Sequence, residues 1–196
     1  MRARANGRRM DAFLLCLILT FAIAFGGREQ LIMAQFTQEL ERTTALLAMG
    51  VLCATISASA MAYFGASIAS LLPQRAADML VAFALAAAAV ELAWRVKVKP
   101  MKEPTRSIIA IGAVLLFRQI GDAARFVIFA FAAGAAYPTT ALIGGAIGGA
   151  AAVALGWYVG LARLERFPLR WIRAAFAFCL IVAALLIGLN ARYAFL

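Results

Sequence analysis

Six stretches of this chain are each long and apolar enough to cross a bilayer as a helix: 11–37, 43–66, 76–96, 107–133, 138–162 and 171–191. A hydrocarbon core of about 30 Å takes roughly 20 helical residues. Irregular backbone cannot face lipid, because its N–H and C=O groups would have no partner there. The sequence therefore predicts an all-α polytopic membrane protein with six transmembrane helices and no soluble domain. Between the runs stand helix-breaking or polar segments: "QELER" (38–42), "LLPQR" (71–75), "KVKPMKEPTR" (97–106), "AAYPTT" (135–140) and "ERFPLR" (165–170). Proline in four of them ends or restrains the helix before it.

Charge and residue usage then exclude several function classes. The net charge is +10, but the basic residues gather at segment ends, including Arg2, Arg4, Arg8 and Arg9 at the start. That placement suits a lipid headgroup surface rather than nucleic acid. The chain has no His, which removes imidazole metal ligands, Ser-His-Asp triads and histidine proton relays. No enzyme and no resident cofactor are expected. Cys16, Cys53 and Cys179 stand alone in apolar runs and read as small buried hydrophobes. The expected partner is the lipid bilayer, with self-association left open, and the expected location is a bacterial inner membrane.

The first run also has the form of a secretory signal, with a basic start, "AFLLCLILTFAIA" and Ala22-Ile23-Ala24. Internal symmetry argues for keeping it as a span. A shift of 95 residues places Gly26 on Gly121, Tyr63 on Tyr158, Gly65 on Gly160, Pro73 on Pro168 and Arg75 on Arg170, and "TTAL" (43–46) meets "TTAL" (139–142) with one residue of slip. The chain thus divides into a basic tail (1–10), a three-helix repeat (11–96), a basic linker (97–106) and a second three-helix repeat (107–191). An odd number of spans per repeat makes the second copy inverted relative to the first, an arrangement associated with secondary transporters. The tail and the linker should then lie on opposite faces, with the linker cytoplasmic.

Equivalent places in the two copies hold "AFGGREQ" (24–30) and "QIGDAAR" (119–125). An ionisable group at the bilayer centre costs about 2.5–3.5 kcal/mol on insertion scales, so such residues pair or face water. On a continuous helix Arg118, Gly121, Asp122 and Arg125 would share one face. Gly26, Gly27 and Gly121 would let the backbone unwind or approach a partner closely.

These stretches resemble the paired E-x-G-D-(K/R)-(T/S) motifs, often followed by Gln, of the Golgi manganese and calcium transporters and their bacterial manganese-exporting relatives. The likeness extends to the repeat spacing, the basic linker and a P-x-R ahead of each third helix, Pro73 to Arg75 and Pro168 to Arg170. In the first copy the motif falls on Ala24, Gly26, Gly27, Arg28 and Glu29, with Gln30 after it; in the second it falls on Gln119, Gly121, Asp122, Ala123 and Ala124, with Arg125 after it. One of the four signature carboxylates survives, Asp122. The resemblance implies export of manganese or calcium ions against protons. The ion pathway would hold Asp122, Glu29, Gln119, Gln30, Arg118, Arg125 and Arg28, and Asp122 and Glu29 would touch the metal. Two acids would face three arginines there. An Arg and Asp about 4 Å apart attract by roughly 4 kcal/mol at an effective dielectric near 20, so Arg118 or Arg125 could serve Asp122 as an internal counter-ion. Export of another small solute such as an amino acid, or a non-transporting scaffold, remain the alternative readings.

Remaining features have plainer expectations. "GGAIGGA" (144–150) carries small-xxx-small spacing for close helix packing. Thr55, Ser57 and Ser59 should bond neighbouring backbone rather than line a pathway. Glu91 stands one turn from Arg95, and Asp78 three residues after Arg75, both suited to interfacial ion pairs.

Overall fold

The computed structural model describes residues 2–40, 43–94, 107–135, 137–164 and 166–193, with the backbone alone for residues 2–9. The basic linker 97–106 and Arg95 lie outside the described residues. Nine helices are formed among the described residues, and no strand: α1 (Arg2–Ala24), α2 (Arg28–Glu39), α3 (Thr44–Ser70), α4 (Gln74–Ala93), α5 (Ile108–Gln119), α6 (Ala123–Gly134), α7 (Pro138–Val159), α8 (Leu161–Leu164) and α9 (Leu169–Tyr193).

Local chemistry sets many of these ends. The Thr43 hydroxyl accepts from Leu46 N at 3.2 Å and caps α3, and Ser107 does the same for α5 through Ala110 N at 3.4 Å. Pro138 opens α7, where its missing N–H is no loss. Four helices, α3, α4, α7 and α9, are long and apolar enough to cross a membrane, and the pair α1–α2, bent by 58°, makes a fifth if counted as one span.

The runs 11–37 and 107–133 are each interrupted rather than continuous. The first stops at Ala24 and restarts at Arg28, and the second stops at Gln119 and restarts at Ala123. Gly26 makes the first break possible: its φ is +70°, and a Cβ there would lie 2.8 Å from the Leu169 side chain. At 12 residues each, α5 and α6 are too short to span alone.

Each broken pair follows one long helix. Phe13 and Leu17 of α1 lie against Gly144 of α7, and further along the same helix Gln30 of α2 meets Gly156. On the other side of the bundle Gly112 of α5 lies beside Met49 of α3, and Phe129 of α6 beside Gly65. Helix α4 packs antiparallel to α9, with Glu91 near Arg173 at one end and Ala82 near Gly188 at the other. The interior is rich in small residues, including Ala84, Ala88, Ala124, Ala130 and Ala152, with larger ones such as Met33, Ile111 and Leu115 among them, while Ile18, Phe64, Phe83, Phe117, Phe178 and Leu185 face outward. An outer surface of large apolar side chains around a small-residue interior suits a bilayer.

The glycines of 144–149 divide the packing between two faces. A Cβ on Gly144 or Gly148 would lie 2.5 Å from the Phe13 or Leu17 carbonyl oxygen, so these two admit α1, whereas Gly145 faces Ile128 of α6. Cys16 and Cys53 are buried, and their thiols lie against the Ala141 and Gly112 carbonyls at 3.2 and 3.5 Å. Cys179 is exposed, not buried as expected, because it lies on the outward side of α9.

Candidate functional site

The two breaks in the chain converge. Helices α2 and α6 are both 12 residues long and begin 95 residues apart, at Arg28 and Ala123. Their N-termini present unpaired backbone N–H groups, which favour negative charge. Asp122 occupies the N-cap of α6 and accepts from Ala124 N through Oδ2 at 3.1 Å. At α2 the N-cap is Gly27, which has no side chain to offer; Gln30 instead reaches back out of the helix to accept from Gly26 N at 2.7 Å, which holds the turn before it.

One turn into each half-helix a long polar side chain crosses to a long helix. Gln30 donates to the Ala152 carbonyl of α7 at 3.0 Å. Arg125 donates through Nε to the Ser57 hydroxyl of α3 at 2.7 Å. Donors and acceptors in these two contacts are each 95 residues apart, Gln30 with Arg125 and Ser57 with Ala152. The same relation holds for Met33 against Gly50 and Ile128 against Gly145.

Arg125 then joins the two halves. Its Nη2 donates to Glu29 Oε2 at 2.9 Å, and neither side chain has more than 1% of its surface exposed. Gly149 makes room for the guanidinium, since a Cβ there would lie 3.1 Å from Nη1. Gln119, the last residue of α5, accepts from Ser57 through Oε1 at 2.7 Å, and both Gln119 and Asp122 face Glu29. Three atoms in this fully enclosed group, Glu29 Oε1, Gln119 Nε2 and Arg125 Nη1, have no hydrogen-bond partner. Buried polar atoms are ordinarily paired; here the Gln119 side chain faces Glu29 without closing a hydrogen bond to it.

A second charge cluster adjoins the first. Glu91 of α4 meets Arg28 Nε at 3.3 Å and Arg173 Nη2 at 3.4 Å, and it faces the start of α6 at Asp122 and Ala123. Arg173 also donates to the Gly26 carbonyl at 3.4 Å and to the Glu91 carbonyl at 3.2 Å, which ties α9 to the first break. A cleft of about 650 Å³ reaches this cluster at Gly26 and Arg173, with Leu31, Leu92 and Leu169 among its walls.

Several expectations from the sequence are corrected. Arg118 is exposed and does not join the group, because α5 ends one residue later and the face that 118, 121, 122 and 125 would share on a continuous helix does not exist. For the same reason Gly121 is exposed and close to nothing, a Cβ there meeting no atom within 4 Å. Arg125 pairs with Glu29 rather than Asp122. Asp78 accepts from Gln74 at 2.9 Å, and Thr55 bonds its own helix at Val51. Ser57, expected to bond backbone, has the Ala54 carbonyl at 3.1 Å, but that acceptor shares the hydroxyl's one proton with the closer Gln119 Oε1, and the hydroxyl oxygen accepts from Arg125.

Sequence reasoning missed Glu91 and Arg173 as members of the site. Their partners lie 63 or more residues away in sequence, so the only available signal was that both are charged within long apolar runs. With them included, Glu29, Asp122 and Glu91 stand against Arg28, Arg125 and Arg173, and the network is formally neutral instead of positive. Among the described residues no group of three or more His, Cys, Asp or Glu side chains gathers as a metal cage. Comparison of the chain with protein-family models, with curated proteins and with solved structures finds no match.

Proposed function

We propose that this chain is a secondary transporter of a bacterial inner membrane, built as two inverted three-helix repeats, and that its cargo is a divalent cation such as manganese or calcium. The observation that carries the reading is the convergence of the two helix breaks on the carboxylates of Glu29 and Asp122. Supporting the repeat are the helix starts and paired contacts 95 residues apart, and the way α1–α2 follows α7 while α5–α6 follows α3. Broken helices whose half-helix ends meet midway through a bundle are the usual means of building a transport site.

A hard cation is held by oxygen ligands. Glu29, Asp122, the Gln119 side-chain oxygen and the Ser57 hydroxyl lie close enough together to supply them once Arg125 withdraws. The cleft at Gly26 and Arg173 supplies an approach from the side on which α4 ends and α9 begins. Cells expressing the chain should hold less manganese or calcium than controls under load, and Asp122→Asn at equal membrane abundance should lose the effect. Equal metal content in all three strains would count against a cation as cargo.

The neutrality of the six-residue network favours a second reading, a non-transporting relative that keeps the fold as a scaffold or partner. In that case Arg125 and Glu29 are a permanent structural pair, and growth on a panel of metals and amino acids would not respond to Asp122→Asn.

A further inference from the structure

Accepting that a cation is carried at Glu29 and Asp122, we infer that Arg125 is a tethered counter-ion that takes the cargo's place on Glu29 when the site is empty, so that the carrier returns without binding a proton or second ion. The inference rests on the proposed function and concerns how the same site is reset.

Two emptied carboxylates inside a lipid-surrounded bundle leave uncompensated negative charge, which is unfavourable at membrane depth. A carrier of this kind must take back another cation or supply its own. Arg125 is placed to supply one of the two positive charges needed, and the surplus of Arg28 and Arg173 over Glu91 supplies the other. Its Nη2 is on Glu29 at 2.9 Å while Nε is held separately by Ser57 at 2.7 Å, so the guanidinium can release the carboxylate and keep an anchor. The guanidinium packs against Gly149, where a Cβ would lie 3.1 Å from Nη1, so this side of the pair depends on the missing side chain. Nη1 makes no hydrogen bond in this arrangement, and Glu29 Oε1 and Gln119 Nε2 lie on facing side chains without a closed bond between them. A permanent structural pair would be expected to satisfy these atoms. An arginine keeps its charge at all physiological pH values, so the reset does not depend on proton supply.

The test uses the full chain in sealed proteoliposomes with the membrane potential clamped, following manganese ions and internal pH together. Two modes are compared: net manganese flux down a gradient, and exchange of labelled for unlabelled manganese at equal concentrations. The parent should show both modes with no proton counterflow. Arg125→Gln should keep exchange, in which the site is never empty, while net flux falls by about 100-fold, the factor an uncompensated ionised group at membrane depth imposes. Arg125→Lys keeps a charge but cannot hold Ser57 and Glu29 through separate nitrogens, so it should recover net flux only in part, above Arg125→Gln and below the parent; net flux no higher than in Arg125→Gln would overturn the counter-ion role. A fixed proton-to-manganese ratio in the parent would overturn the inference and leave the cation reading standing. Equal loss of net flux and exchange in Arg125→Gln would also overturn it, assigning Arg125 to structure. A folded parent with neither mode would remove the cation reading and this inference together.

Discussion

Arg125 and Glu29 form a fully buried ion pair at 2.9 Å that joins α6 to α2. The two residues are 96 positions apart, and each stands in the first turn of a half-helix whose start is set by a turn of irregular chain. Removing either partner leaves a charge in the bundle with nothing to offset it. Glu29→Gln and Arg125→Gln should each destabilise the detergent-solubilised protein by about 3–5 kcal/mol, and the double variant by clearly less than the sum of the two. Strictly additive losses in a double-mutant cycle would mean that the pair contributes nothing as a pair.

Gly149 tests the room given to that pair. Alanine there puts a Cβ 3.1 Å from Arg125 Nη1, so Gly149→Ala should destabilise by about 1–3 kcal/mol, the usual cost of overpacking. In an Arg125→Gln background the same change should be nearly neutral. A cost that persists there would place the crowding elsewhere.

The close approach of α1 to α7 makes a contrasting prediction at two other glycines. Gly148→Val must push the helices apart, because even its Cβ would lie 2.5 Å from the Leu17 carbonyl oxygen. Folded yield and thermal stability should fall sharply. Gly121→Ala meets no atom within 4 Å and should change stability by less than about 0.5 kcal/mol. Equal sensitivity at the two positions would contradict the described packing.

Arg118 and Arg173 separate the sequence expectation from the structure. Arg118→Gln should leave thermal stability within about 0.5 kcal/mol of the parent, since the residue is exposed. Arg173→Gln removes contacts to Glu91 and the Gly26 carbonyl and should cost about 2 kcal/mol or more as Glu91 loses a partner. The reverse order in a thermal unfolding series would mean that Arg118, not Arg173, belongs to the site.

Much of the architecture was legible in the sequence for simple reasons. Long apolar runs bounded by proline and polar residues fix helices to within a few positions, and the 95-residue symmetry anticipated the equal starts of α2 and α6. The places of Glu29, Gln119 and Asp122 followed from the same symmetry. What escaped was direction. Whether Arg118 turns inward depends on where the helix stops, and a stop at Gln119 followed by a restart at Ala123 rotates the face on which Arg125 lies relative to Arg118. Arg173 was hidden differently, since a basic residue near the start of a span reads as a headgroup contact until α9 is seen to pack on the break at Gly26.

The most direct measurement is the thermal stability of the purified protein with increasing manganese or calcium ion, in the parent and in Asp122→Asn. Asparagine still caps α6, so the variant should fold, while one carboxylate of the proposed site is gone. An ion that binds only the folded state stabilises it by about 2.7 kcal/mol at 100 times its dissociation constant. The account predicts an unfolding midpoint that rises with ion concentration in the parent and stays flat in Asp122→Asn. A flat response in both, or the same rise in both, would contradict a cation site at Glu29 and Asp122.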